Sequence, residues 1–211
     1  MDLSSRFNEV VTSEDQFRAV MGKASALVLR KEIPALDSHA RAFIGRSPFV
    51  LLSTSDAVGC MDISPKGDPP GFVRILDDKT LAIPDRLGNR RADTFRNLLA
   101  NDRIGLIFLV PGKQETLRMS GRAIIVRDES VREQMAVRGK LPEFAIVVGV
   151  EQMFFHCAKC MIRSGLWRQK TWPDLTDLPT LAETMVSAGK LDKPLHEMQS
   201  IIDKEVETRL Y

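Results

Sequence analysis

The segment Ile83–Leu99, reading IPDRLGNRRADTFRNLL, holds the residues whose types and spacing best suit chemistry. The apolar run Thr80–Ile83 stops at Pro84, and a Gly-Asn turn follows at Gly88–Asn89. Arg90 and Arg91 then open an amphipathic helix expected over Arg90–Ala100. That layout suits a phosphate. The first N–H groups of a helix lack internal partners, the dipole there is positive, and arginine adds planar charge-assisted donors. The same residues also read as a solvated basic turn, and the local sequence does not separate the two.

A second cluster, His156-Cys157-Ala158-Lys159-Cys160, contains a CxxC with an adjacent histidine. Its chemical reading is a metal or thiol redox site. Structural zinc usually takes four ligands, and the third cysteine, Cys60, is remote in sequence. A catalytic dithiol usually opens a helix after a strand in a thioredoxin-like unit, and the rest of that pattern is missing. Cys157 is therefore read as partly buried packing and Cys160 as a helix residue, with no metal. Lys66 and Asp68 lie in a Pro/Gly-rich segment where Lys66 either draws an anionic group or sits in a solvated turn.

The elements that must position these groups follow from periodicity and punctuation. Ser13-Glu14-Asp15-Gln16 has the form of a capping box before a helix ending near Gly22, and Asp37 caps a second helix through Ile44. Strands are expected at Phe49–Thr54, Cys60–Ile63, Phe72–Leu76, Thr80–Ile83, Ile104–Val110, Glu115–Arg127 and Phe144–Phe155. Ser64–Gly71 is too rich in Pro and Gly for regular structure, and Gly121 reads as a bulge. Short helices are expected at Ser130–Arg138, Ala158–Ser164, Leu181–Ala188 and Leu195–Leu210. Strands joined by short turns imply antiparallel pairing, and a small barrel with helices outside fits best. One domain over 1–211 is expected, with N-terminal helices over about 1–45 and a C-terminal helical extension over about 175–211.

Composition sets the bounds. Thirty basic and 28 acidic residues leave a net charge of +2, which gives no reason to invoke nucleic acid or a membrane surface. No apolar run is long enough to span a bilayer. The polar N-terminus lacks the apolar core of a signal peptide, and three cysteines make no disulfide framework. The expected location is cytoplasmic.

With the strands placed, the chain resembles the pyridoxamine 5'-phosphate oxidase-like family of FMN-binding split β-barrels over roughly Phe43–Trp167. The likeness rests on PFVLLSTSDAVGCMDISPKG, GFVRILDD, TLAIPDRLGNRRADTFRNLLANDRIGLIF and ETLRMSGRA, in that order. The fold class implied is mainly β (α+β), an antiparallel split barrel of six or seven strands with peripheral helices. Leu87-Gly88-Asn89-Arg90-Arg91 stands where the oxidase has its phosphate turn, so the resemblance makes Asn89, Arg90 and Arg91 phosphate ligands. It places backbone groups of Val73, Arg74, Ile75, Leu76, Ile83 and Pro84 at the flavin edge. Thr116-Leu117-Arg118 stands in the family's Gln-Val-Arg strand, with Thr116 replacing the flavin-touching glutamine. Arg74 and Arg118 read as ligand or interface groups or as surface residues, and Trp167 as a cap on the flavin pocket or as packing.

Two departures bear on function. The oxidase's C-terminal Arg-x-His pattern is absent, and PLHEMQSIIDKEVETRLY reads as an amphipathic helix. SPKGD, His156-Cys157 and Arg163-Ser164-Gly165-Leu166-Trp167 are similar to an uncharacterised branch of FMN-binding relatives. The resemblance thus implies an FMN-dependent oxidoreductase acting on an unknown small molecule, built as a homodimer with cofactor sites at the subunit interface, with no catalytic residue assigned. Two alternatives stay open: a non-catalytic flavin, deazaflavin or haem binding protein, and a thiol or metal redox regulator.

Overall fold

The computed structural model describes residues 3–211, which form two compact units divided between Glu32 and Ile33. The first unit carries α1 (Glu14–Met21) and α2 (Ala26–Leu29), capped by the hydroxyls of Ser13 and Ser25, which accept from the N–H groups of Gln16 and Val28. α1 lies where the capping-box sequence places it; the single turn α2 gave no sequence signal.

The second unit, Ile33–Tyr211, is built on one sheet. Its seven strands are β1 (Phe49–Ser55), β2 (Met61–Gly67), β3 (Arg74–Ile75), β4 (Thr80–Asp85), β5 (Arg103–Leu109), β6 (Thr116–Val126) and β7 (Phe144–His156). All pairs are antiparallel, in the order β2-β1-β5-β6-β7-β4-β3. Hydrogen bonds do not join β2 to β3, so the barrel is split and keeps two edges.

The core follows from alternation. Val50, Leu52 and Thr54 of β1 and Ile104, Leu106 and Phe108 of β5 turn inward, and Leu81–Ile83 of β4 are buried on both sides. α3 (Ser38–Ile44), capped by Asp37 Oδ1 on the Ala40 N–H at 2.8 Å, adds Ala40, Phe43 and Ile44. The predicted bulge is present: the β6–β7 register shifts between Ser120 and Gly121. A Cβ on Gly121 would lie 1.9 Å from the Gly149 carbonyl oxygen, so only glycine fits.

α4 (Asp93–Ala100) packs on β1, β2 and β6 and is tied down by side-chain bonds. Asn97 donates to Thr54 Oγ1 (3.1 Å), Asn101 to Ser55 Oγ (2.8 Å), and Thr94 Oγ1 to Asp62 Oδ2 (3.1 Å). The chain then continues through α5 (Glu129–Glu133), α6 (Lys159–Ser164), α7 (Leu181–Gly189) and α8 (Leu195–Thr208).

Several expected boundaries are corrected. β2 runs on to Gly67 through the Pro-rich segment, because it is an edge strand where Pro65 needs no outer hydrogen bond. β4 likewise continues past Pro84 to Asp85: pairing with β3 ends at Ala82, so no ladder bond from Pro84 to β3 is lost. The strand expected over Phe72–Leu76 shortens to two residues. Arg90 and Arg91 precede α4 rather than open it, since Arg90 and Ala92 have φ of 60° and 58°, outside the right-handed helical region. The helix expected over Ser130–Arg138 stops at Glu133, and Arg138 (φ 51°) and Gly139 (φ 76°) turn the chain back toward β7.

Candidate functional site

A cleft of about 1070 Å³ opens where β2, the end of β4, the Arg86–Ala92 turn and the start of β7 converge. Of the predicted site residues, Lys66, Asn89, Arg90 and Arg91 line it together. Its floor is ordered by β2, whose alternation turns Asp62, Ser64 and Lys66 inward to half-buried positions.

The turn is organised by its own side chains. Asn89 Oδ1 accepts the Arg91 N–H at 3.0 Å, leaving the Asn89 amide donors open. Arg91 Nε donates to Asp93 Oδ2 at 2.7 Å, and Arg96 engages the other Asp93 oxygen. The bond from Arg91, then that from Arg96, holds the Asp93 carboxyl below the ordinary carboxylate range. Among the described residues, Arg90 makes no hydrogen bond or ion pair, so its guanidinium is available at the cleft wall. The N-cap of α4 is Ala92, which offers no side-chain acceptor. The first N–H groups of α4 therefore lack a side-chain cap, beside the free Arg90 and the Arg91–Asp93–Arg96 cluster.

Deeper in the cleft, Lys66 Nζ lies 2.8 Å from Asp85 Oδ1. The sequence placed Lys66 in a loop; it stands on β2, opposite Val50. Arg86 Nε donates to Asp68 Oδ2 at 2.6 Å, and a second Arg86 nitrogen donates to the Met135 carbonyl at 2.7 Å. The Tyr211 phenol donates to Asp68 Oδ1 at 2.7 Å. That bond, with burial second, raises the Tyr211 phenol above its ordinary value. The roles of Arg86 and Tyr211 escaped the sequence reading. Nothing local announces that Asp68, Arg86 and Tyr211 meet at this wall.

The remaining predicted residues lie elsewhere. Val73, Ile83 and Pro84 are buried, and Ile75 and Leu76 half-buried, outside the lining of the cleft. Arg74 is exposed and donates to the Gln134 and Gly71 carbonyls, not to a carboxylate. Thr116 pairs with His156, the residue at the opposite end of β7 from Phe144 at the cleft. At strand rise that separation is on the order of 40 Å. Arg118 faces away from buried Leu117 and Met119, as its alternation implies, and sits 5.2 Å over the Phe154 ring. Trp167 Nε1 donates to the Lys113 carbonyl at 2.8 Å. Cys160 is on α6 as expected, whereas Cys157 is exposed rather than partly buried, because β7 ends at His156 and the chain leaves the sheet. No group of three or more His, Cys, Asp or Glu among the described residues could hold a metal ion.

A family model for pyridoxamine 5'-phosphate oxidase matches residues 36–157, more than half of the chain and all seven strands. The chain belongs to this oxidase family. The oxidase family model thus covers the β2 floor, the Arg86–Ala92 turn and the start of β7, but not the residues at 209–211. No curated protein matches the sequence. Among solved structures the chain is similar to HupZ from Group A Streptococcus, at 22% identity over 57% of this chain and 93% of that one (TM-score 0.48). It is also similar to a putative pyridoxamine 5'-phosphate oxidase from Lactobacillus delbrueckii, at 18% identity over 58% and 95% (TM-score 0.47). A third similar structure is HutZ, the heme storage protein from Vibrio cholerae, at 17% identity over 56% and 93% (TM-score 0.41). No helix among the described residues is long and apolar enough to cross a membrane.

Proposed function

We propose that the chain is an FMN-binding flavoprotein that works as an FMN-dependent oxidoreductase on a small molecule. The observation that carries this reading is the Asn89–Ala92 turn, where an unengaged Arg90 guanidinium stands beside the uncapped start of α4 at the wall of the cleft. The donor set fits a phosphate monoester: Arg90 supplies a charged planar donor, Asn89 an amide, and α4 backbone N–H groups. Arg91, held by Asp93, stands beside Arg90 at the same wall. Bound flavin would supply hydride chemistry at its ring. The chain's part is to hold the phosphate, orient the ring and fill the site with fixed dipoles.

The same reading makes the active form a homodimer. β2 is an edge strand whose Met61 and Ile63 are 66% and 67% exposed next to the cleft, and a second copy would cover them. Thr116, Arg118 and Trp167 do not line this cleft, so any flavin contact they make comes from the second subunit. The carboxylates of the cleft are all engaged: Asp62 by Thr94, Asp85 by Lys66, Asp93 by two arginines and Glu143 by Arg127. That leaves no ready general base and favours, as a second reading, a protein that holds its cofactor without turnover.

The test is the visible spectrum of the freshly purified protein with mass analysis of any released chromophore. Flavin bands with FMN released on denaturation support the reading. A colourless protein that takes up no added FMN removes it, and a bound flavin that no donor reduces selects the second reading.

A further inference from the structure

A second cavity, of about 430 Å³, opens between α3 and the connection from β5 to β6, and it shares no lining residue with the cleft. Ala42 and Phe43 reach it from α3, and Arg46 follows just past the end of that helix. Val110 reaches it from the connection and Phe155 from β7. Its apolar part is built on two rings: Phe43 and Phe155 meet edge to face, with centroids 5.5 Å apart and planes at 75°. Its rim is charged and unbalanced. Lys113 and Glu115, both at the rim, neutralise each other at 3.0 Å. Arg46 donates one guanidinium nitrogen to the Ala42 carbonyl at 3.0 Å, and among the described residues it has no carboxylate partner. One positive charge with open donors therefore stands beside the aromatic pair.

We infer that this cavity binds a small aromatic carboxylate, its ring packed on Phe43 and Phe155 and its carboxylate on the open donors of Arg46. The volume suits a whole small molecule. A flat ring matches the edge and face that the phenylalanine pair presents, and the guanidinium fork matches a carboxylate. A neutral aromatic compound would leave Arg46 without its anion, and an inorganic anion would leave the rings uncovered. The cavity lies apart from the cleft, so the inference goes beyond the flavin reading and does not rest on it.

The full chain, with isotope-labelled alanine and valine methyl groups, is titrated with phenylacetate and with its neutral isostere phenylacetamide. Phenylacetate shifts the Ala42 and Val110 methyl NMR signals to saturation, and phenylacetamide binds about fivefold or more weakly. Arg46→Gln lowers phenylacetate affinity roughly 5- to 10-fold and leaves phenylacetamide unchanged, the loss being limited because Arg46 is exposed. Ala42→Trp, at an exposed position of α3, fills the cavity and weakens both compounds. Added FMN leaves the phenylacetate titration as it was, whether or not FMN itself binds. Stationary Ala42 and Val110 signals overturn the inference, as do equal affinities for the two compounds or a carboxylate preference that survives Arg46→Gln. Shifts confined to the Ala92 methyl, which lines the cleft, or competition by FMN also overturn it, because the carboxylate then sits in the cleft.

Discussion

Arg90→Gly separates folding from phosphate recognition, because the structure pushes the two in opposite directions. Arg90 adopts φ 60°, a left-handed conformation that costs a non-glycine residue roughly 1–2 kcal/mol. Glycine relieves that strain but loses about 0.5–1 kcal/mol of unfolded-state entropy. The net expectation is a change in folding stability between about zero and +1.5 kcal/mol, since among the described residues Arg90 makes no bond that would be lost. Phosphate binding moves the other way. A hydrogen bond to a charged group contributes about 1.5–3 kcal/mol, less at an exposed position, so FMN affinity falls roughly 5- to 30-fold. Riboflavin, which lacks the phosphate, is unaffected. The assay pairs urea denaturation with titration of flavin fluorescence by both ligands. Equal losses for FMN and riboflavin would refute the assignment of Arg90 to the phosphate, as would unchanged FMN affinity. A large loss of stability would refute the claim that the turn stores strain at an unpartnered residue.

Further expectations follow from the same structure. Gly121→Ala forces a Cβ to 1.9 Å from the Gly149 carbonyl oxygen and should destabilise the fold by about 3 kcal/mol or more in denaturant titration. Gly149→Ala, with its nearest contact at 3.8 Å, should cost about 1 kcal/mol or less; similar losses would argue against the bulge as the cause. Asp93 titrates below the ordinary carboxylate range, so its support of the turn is complete above that range and lost as pH falls through the depressed value. A carboxyl NMR titration should show this shift, and Arg91→Ala should reduce it. Tyr211 titrates above the ordinary phenol range, so its bond to Asp68 is fully present below that range and lost as pH rises through the raised value. Tyrosinate absorbance reads this directly, and an unshifted curve would contradict the docked phenol. Cys157→Ser should leave folding and chromophore unchanged with no stoichiometric metal; loss of a redox activity in that variant would revive the thiol reading.

What the sequence determined was local and periodic. Caps at Ser13 and Asp37, the strand alternation in β1, β5 and β6, and the glycine bulge at 121 depend on neighbours a few residues away, and all are where the chain's own pattern puts them. A turn ahead of α4 was legible for the same reason, although Arg90 and Arg91 were expected inside the helix and precede it. Tertiary structure decided what local pattern cannot carry. Pro65 and Pro84 are tolerated in strands because pairing leaves one side of each unpaired, a property of strand order rather than composition. The two arginines stay outside α4 because Asn97, Asn101 and Thr94 pin the helix to β1 and β2, and the chain must turn through left-handed residues to reach it. Asp68, Arg86 and Tyr211 become one cluster through a contact spanning 143 residues, and no periodicity encodes a contact of that range. Packing alone brings Arg209 and Tyr211, just past α8, to the wall of the cleft.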